Sequence, residues 1–366
     1  MTSRFPRQVM LTTDTVGGVW RYTMELAAGF ARSGARVMVV TMGPPPDASQ
    51  RAELHALRGV RLIQASVQLD WLAKQPYELK HASHELCGIA RTSGTETIQI
   101  HTPALAAGPA WPAPVVVMAH SCVGTWWRAV RGSQALPPEF SWHAEAVAQG
   151  LRAADAVLAP SKSFATALFR RYGELCGIRV IPNGRSLAAV PRQRCAQALT
   201  VGRLWDEGKN VAVLDAAAAD LPVYAVGPVE GPNGASISPH NLRLLGVMDD
   251  AGLAQEYATA AVFVSVSRYE PFGLAVLEAA QAGCALLLSD IPTFRELWDG
   301  AALFVDPCDI VGLRSALATL LQAPHQCEQL GHLARERSAS YSVERMVERT
   351  WAVHREALET RGKVAA

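Results

Sequence analysis

Glu270 and Glu278 stand eight residues apart in the stretch Ser265-Val266-Ser267-Arg268-Tyr269-Glu270-Pro271-Phe272-Gly273-Leu274-Ala275-Val276-Leu277-Glu278-Ala279-Ala280-Gln281-Ala282-Gly283. Pro271 disfavours helical backbone at Glu270, whereas Gly273 to Gln281 is rich in helix formers, so Glu270 is expected on a loop and Glu278 inside a helix. Carboxylates in those places can accept hydrogen bonds from sugar or ribose hydroxyls. The helix start at Phe272, Gly273, Leu274 and Ala275 offers N–H groups that suit a phosphate. Glu278 sits among Leu274, Val276, Leu277, Ala279 and Ala280 and is costly to bury unless paired; an exposed helix face is the plainer alternative.

Cations stand in a second group. Thr200-Val201-Gly202-Arg203-Leu204 ends a β-like run, and Lys209 follows at the start of the next helical segment. An Arg and a Lys at the carboxyl end of a parallel strand suit a diphosphate, although solvent-facing salt bridges would use the same residue types. Near the other end of the chain, Thr12-Thr13-Asp14-Thr15-Val16-Gly17-Gly18-Val19-Trp20 reads as a strand, a glycine loop and a helix start. Gly17 and Gly18 would let backbone approach an anion, or would simply make a tight turn; their spacing is not that of a dinucleotide fingerprint.

His101 and His120 each close a β-like run, and Trp126, Trp127 and Arg128 follow His120 closely. Aromatic faces support sugar rings or flat apolar acceptors, and equally pack cores. Met248 comes just after Leu245-Gly246, at the end of a β-like run, and a thioether would not distinguish uracil from guanine. His81, His84 and Glu85 read as a solvated helix face rather than a metal site, and no Asp-x-Asp segment is present to hold a divalent ion.

These residues need elements to hold them. Short β-rich apolar runs alternate with segments of helical period, which implies βαβ units and parallel sheets. Strands are expected at 8–13, 35–41, 60–65, 97–101, 115–120, 156–160 and 179–182, then at 199–203, 223–226, 242–246, 262–266, 285–289 and 302–305. Helices follow at 310–322, 325–338 and 342–360. The polar stretch from Gly184 to Ala198, broken by Pro191, reads as an exposed connector. Residues 1–187 then form one Rossmann-like domain and residues 188–340 a second, with residues 341–366 a helix whose target its period does not reveal.

Composition narrows the class. A chain of 366 residues with 49% hydrophobic and 18% charged residues exceeds one usual core and is not disordered. A net charge of +1 gives no field for nucleic acid. The seven cysteines, at 87, 122, 176, 195, 284, 308 and 327, form no CxxC pair and read as reduced, mostly buried thiols. Apolar runs fall far short of the roughly 18 residues of a membrane helix, and residues 1–11 lack a secretory core, so cytoplasmic residence is expected.

Taken with Gly17-Gly18, His120-Ser121, Ala159-Pro160-Ser161, Ile181-Pro182-Asn183-Gly184, Gly202-Arg203 with Lys209, Leu245-Gly246 and the Glu-x7-Glu pair, the sequence resembles glycosyltransferase family 4 over nearly its whole length. The resemblance implies an α/β GT-B fold, two Rossmann-like domains facing across a cleft, with residues 1–187 on the acceptor side, residues 188–340 binding the nucleotide sugar and the helix of residues 341–366 packing back on the first. It implies retaining, metal-independent transfer of a hexosyl group from a UDP- or GDP-linked sugar to an acceptor hydroxyl, with no cofactor.

The acceptor would belong to surface polysaccharide, glycolipid or glycoconjugate synthesis, or be a small molecule. A lipid-borne acceptor would bring transient contact at the inner face of the membrane. Arg203 and Lys209 would hold the diphosphate, and Glu270 with Phe272, Gly273 and Leu274 the transferred sugar and phosphate. Glu278 would bind the ribose, and Gly17, Gly18, Gly202 and Met248 would join the donor site. His120 would lie near the anomeric carbon, and His101, Trp126 and Trp127 toward the acceptor. An epimerase or phosphorylase on the same fold, or a non-catalytic nucleotide-sugar-binding subunit, are the rival readings.

Overall fold

The computed structural model describes residues 6–175 and 177–364. The chain divides into two compact units, Met1–Gly184 together with Val343–Ala366, and Arg185–Ser342. In the first unit the strands are β1 (Gln8–Asp14), β2 (Arg36–Met42), β3 (Val60–Gln64), β4 (Thr97–Ile100), β5 (Val115–Met118), β6 (Ala156–Ala159) and β7 (Arg179–Val180). The helices between them are α1 (Gly18–Arg32), α2 (Ala48–His55), α3 (Pro76–Thr92), α4 (Val123–Arg131), α5 (Pro138–Ala153) and α6 (Lys162–Tyr172).

The second unit carries β8 (Cys195–Val201), α7 (Val211–Ala217), β9 (Val223–Val226), β10 (Arg243–Gly246), α8 (Asp250–Thr259), β11 (Ala260–Ser265) and α9 (Leu274–Ala282). It continues with β12 (Ala285–Ser289), α10 (Pro292–Trp298), β13 (Leu303–Val305), α11 (Ile310–Leu321) and α12 (Pro324–Ser338). A last helix, α13 (Val343–Val364), belongs to the first unit.

Both sheets are parallel. Their strand orders are β3-β2-β1-β4-β5-β6-β7 and β10-β9-β8-β11-β12-β13. Runs such as Val9-Met10-Leu11 and Ala285 to Ser289 are fully buried because helices cover both faces of a parallel sheet. In each sheet the chain order reverses once, at β1/β4 and at β8/β11, and the carboxyl ends of those strands are where doubly wound sheets receive ligands.

α13 completes the first unit's core. Met346, Val347, Trp351, Val353 and Ala357 are buried with Phe30, Leu26 and the strands behind them. The rings of Phe30 and Trp351 lie 4.2 Å apart, and Val347 presses where a Cβ on Gly29 would stand, 2.3 Å away, so α1 needs glycine there. Full burial of each such side chain contributes about 1.5–3 kcal/mol.

Every strand expected from the sequence overlaps an observed one, with ends displaced by a few residues. The connector differs from its expectation in two respects. β8 already begins at Cys195, and Arg185, inside the stretch read as exposed, is only 6% accessible because two carboxylates and a tyrosine enclose its surroundings. Of the cysteines, 87, 122, 284 and 327 are buried free thiols, 195 and 308 are exposed, and Cys176 lies outside the described residues.

Candidate functional site

In the 185–342 unit the cationic group gathers at the β8/β11 reversal. Lys209 ends a short 3-10 turn, Glu207–Lys209, whose start is capped by Asp206: its Oδ1 accepts from Gly208 N at 2.9 Å, while Oδ2 holds Arg203 Nη2 at 2.9 Å. Asn210 follows in the left-handed region at φ 59°. Its Nδ2 donates to the Val266 carbonyl (3.0 Å) and the Pro307 carbonyl (2.7 Å), pinning the turn to the strand ends. The Arg268 N–H donates to the Gly208 carbonyl at 2.9 Å, so the loops of Lys209 and Glu270 are joined through backbone.

Lys209 Nζ then meets Glu270 Oε2 at 2.5 Å, with side-chain exposures of 23% and 15%. The Arg203 side chain is 40% exposed and lies over the Trp205 ring at 5.5 Å. Directly behind Glu270, Gly273 stands at the N-cap of α9, left-handed at φ 94°, and gives the helix no side-chain cap. Phe272 is buried in the core, Leu274 is half-buried, and the first N–H groups of α9 lie in the same loop as Glu270.

Three glycines form the floor of this edge. Gly202 N donates to the Val226 carbonyl (3.0 Å) and Gly227 N to the Gly246 carbonyl (2.8 Å), so Gly202, Gly227 and Gly246 close β8, β9 and β10 side by side. A Cβ on Gly227 would stand 1.8 Å from the Gly202 carbonyl oxygen, and the Lys209 stem covers Gly202. Met248, half-buried, packs on the apolar cluster beneath.

Glu278 is buried within α9 and its carboxylate already holds two partners. Arg185 Nε donates to Oε1 at 2.9 Å and the Tyr257 hydroxyl to Oε2 at 3.0 Å, while Arg185 Nη2 also holds Asp250 Oδ2 at 2.5 Å. Burial lifts the Glu278 carboxyl above its ordinary range while Arg185 and Tyr257 pull it back. Burial, with the neighbouring Glu278 charge, also pushes the Tyr257 hydroxyl well up.

The other unit presents a different surface. Gly17 and Gly18 are exposed at the end of β1; Gly17, at φ 92°, starts α1 without a side-chain cap, and Asp14 Oδ1 accepts from Val16 N at 2.8 Å. His101 and His120 follow β4 and β5, and with Tyr22 of α1 they make an edge-on trio whose centroids lie 4.7 to 5.2 Å apart. Burial pushes His120 down to about 3 and holds His101 well below the usual imidazole range, so both rings are neutral at pH 7. His120 Nε2 is enclosed and has no hydrogen-bond partner among the described residues.

His101 is 5% exposed and sits in the interior, behind the edge rather than on it. Trp126 and Trp127 are half-buried on α4; Trp127 Nε1 donates to the Gln134 carbonyl at 3.1 Å, and Arg131 lies over both rings at 6.0 and 5.7 Å. His81 and His84 lie on the exposed face of α3, and among the described residues no group of three His, Cys, Asp or Glu side chains gathers to hold a metal ion. No helix among them is long and apolar enough to cross a membrane.

The structure thus brings Arg203, Lys209, Glu270, Gly202 and the start of α9 together in one unit, and His101, His120 and Gly17 around one strand reversal in the other. Arg185, Tyr257, Asn210 and Gly227 are partners that sequence reasoning missed.

The family model described as Glycosyltransferase Family 4 matches residues 16–188, and that described as Glycosyl transferases group 1 matches residues 195–323. The chain belongs to this glycosyltransferase family. As a family 4, group 1 glycosyltransferase it is an enzyme that works from a nucleotide-sugar donor. A glycogen synthase of Mycobacterium tuberculosis is 26% identical over 371 residues, 89% of this chain and 87% of the relative. The D-rhamnosyltransferase WbpZ of Pseudomonas aeruginosa is 32% identical over 130 residues, 32% of this chain and 34% of its own.

Among solved structures, sucrose-phosphate synthase from Thermosynechococcus elongatus superposes with a TM-score of 0.78 at 20% identity, covering 97% of this glycosyltransferase and all of that chain. Anabaena HepE in complex with UDP gives 0.71 at 16% identity, covering 94% and 98%. Both likenesses speak to the two-sheet GT-B fold.

Proposed function

We propose that the enzyme transfers a hexosyl group with retention and without a metal, from a UDP- or GDP-linked donor held by the 185–342 unit to a glycan, glycolipid or small-molecule hydroxyl met by the other unit. The observation that carries this reading is the meeting of Lys209 and Glu270 beside the uncapped start of α9, with Arg203 held by Asp206 in the loop that leads to Lys209. Two fixed cations and a helix N-terminus can take the charge that develops on a departing diphosphate, the task a divalent ion would otherwise perform.

In the transfer, the bond from the anomeric carbon to the diphosphate oxygen breaks, the acceptor oxygen bonds to that carbon on the same face, and the acceptor proton passes to the leaving phosphate. Lys209 moves from Glu270 alone to sharing the phosphate, which frees one Glu270 oxygen for a sugar hydroxyl. Glu278, oriented by Arg185, receives the ribose on its remaining lone pairs. His120 stays neutral, and a neutral ring can exchange hydrogen bonds with sugar hydroxyls.

The test is donor turnover with UDP-, GDP- and ADP-linked hexoses, with and without EDTA, reading free nucleotide and the anomeric configuration of the product. One donor should be consumed in EDTA, with its configuration kept. Loss of all turnover in EDTA, restored by a divalent ion, sinks metal independence; an inverted product sinks retention. Donor isomerised without acceptor, or glycan cleaved by phosphate, replaces the reaction class.

A further inference from the structure

The deepest polar groups of the first unit form one connected run from α13 to the ring beside His120. His354 Nε2 lies 2.8 Å from Gln99 Oε1, and its Nδ1 lies 2.7 Å from Thr97 Oγ1. Gln99 Nε2 reaches His101 Nε2 at 2.9 Å and the Tyr22 hydroxyl at 3.2 Å. His101 Nδ1 lies 3.0 Å from Thr23 Oγ1. His354, Gln99, Thr97 and Thr23 are fully buried, so each partner must come from the protein and the donor directions must agree along the run.

The directions follow from Thr23. Its single hydroxyl proton has three neighbours in reach, the Val19 carbonyl at 2.8 Å, Thr13 Oγ1 at 3.1 Å and His101 Nδ1 at 3.0 Å; with the proton on the Val19 carbonyl, or on Thr13, Thr23 accepts from His101 and the His101 proton resides on Nδ1. Nε2 of that neutral ring is then an acceptor, and Gln99 must present its amide NH2 to it. The Gln99 carbonyl consequently faces α13, His354 donates from Nε2, and His354 Nδ1 accepts the Thr97 proton. The titratable groups facing His101 are Tyr22 from α1, His120 after β5 and His354 from α13. All stay uncharged at neutral pH: burial pushes Tyr22 up to about 12 and His354 down to about 3.

We infer that His354 and Gln99 are positioning residues for the reaction: they lock His101 as the neutral Nδ1–H tautomer, which keeps the ring packed edge-on against His120 uncharged and His120 in its working orientation. The role assigned to His120 rests on the transfer reading above; the tautomer lock does not. A charged His101 would stand 5.1 Å, ring to ring, from His120 in a site with little water to screen it.

The experiment uses the full-length protein with 15N-labelled histidine. Long-range proton–nitrogen spectra should show His101 protonated on Nδ1 and His354 on Nε2, both neutral between about pH 5 and pH 8. In Gln99→Glu the side chain only accepts, so His101 must bring a proton on Nε2; His101 should titrate in that window, and kcat should gain an ionisation there. His354→Leu should lower kcat about tenfold with donor KM unchanged, and His354→Gln, whose amide can bridge Gln99 and Thr97, should restore it. Wild-type His101 protonated on Nε2, or titrating in that window, overturns the inference. So do equal kcat losses in His354→Leu and His354→Gln at matched melting temperature. A wild-type enzyme that consumes no donor would instead sink the transfer reading, leaving the spectra to decide the lock.

Discussion

Behind the β1/β4 reversal the polar groups are imidazoles, an amide and hydroxyls, all buried and all neutral; behind the β8/β11 reversal they are guanidinium, ammonium and carboxylates in pairs. Both sets stand at the same topological place in a parallel sheet, and their chemistry is opposite. A diphosphate brings two or more negative charges and needs ions to meet it, whereas a sugar hydroxyl is neutral and is better met by groups whose proton positions are fixed. Both places are where doubly wound sheets receive ligands, and on the proposed transfer reading the side chains there divide the work between a charged donor and a neutral hydroxyl.

The largest effect should come from the ionic side. Arg203→Ala with Lys209→Ala should lower kcat/KM for the donor by about a thousandfold or more, since the proposed leaving group would lose both cations assigned to it. Their partial exposure keeps the melting temperature close to wild type. Retained turnover would break the comparison at its root.

Arg185→Met comes next and separates a buried ion pair from an exposed one. Leaving Glu278 without its cation should cost about 3 kcal/mol in chemical denaturation. The sign with pH is set by Glu278: its folded pKa is already raised, so its contribution is fully present below the ordinary value of 4.5 and is lost as pH rises through the folded value. Removing Arg185 raises it further, and the variant should lose more stability at pH 8 than at pH 5. A pH-independent loss would mean that Glu278 is not the group left uncompensated.

Gly227→Ala tests the ionic side without touching a charge. A Cβ 1.8 Å from the Gly202 carbonyl, on backbone at φ 136°, should cost about 2–3 kcal/mol and raise donor KM by displacing Gly202. Smallest of all, Trp127→Phe removes one exposed hydrogen bond to Gln134 and should cost about 0.5 kcal/mol, with donor hydrolysis unchanged.

Much of the fold could be read ahead of the structure because apolar runs and helix periods alternate without interruption, and each expected strand has an observed counterpart. Glu270 on a loop and Glu278 inside α9 followed from Pro271 and the helix formers after it. Arg185 could not be read that way, because a polar connector has no period from which burial can be inferred. Gln99 did leave a trace, since a glutamine between Ile98 and Ile100 in a buried strand must find partners. His354 left one as well, spaced seven and three residues after Val347 and Trp351 on the apolar face of α13. What neither trace contained was that the two would meet each other, a contact spanning 255 positions.

The course of the chain has a consequence for its birth. Residues 185–342 are continuous, so that unit can fold as it leaves the ribosome, whereas the unit begun earlier waits for α13. Until then Phe30 lacks Trp351 and Gln99 lacks His354. A chain grown only as far as residue 342 can therefore carry a finished second unit beside a first one that still lacks α13. The first unit's core and its proton assignments are completed together, when α13 docks.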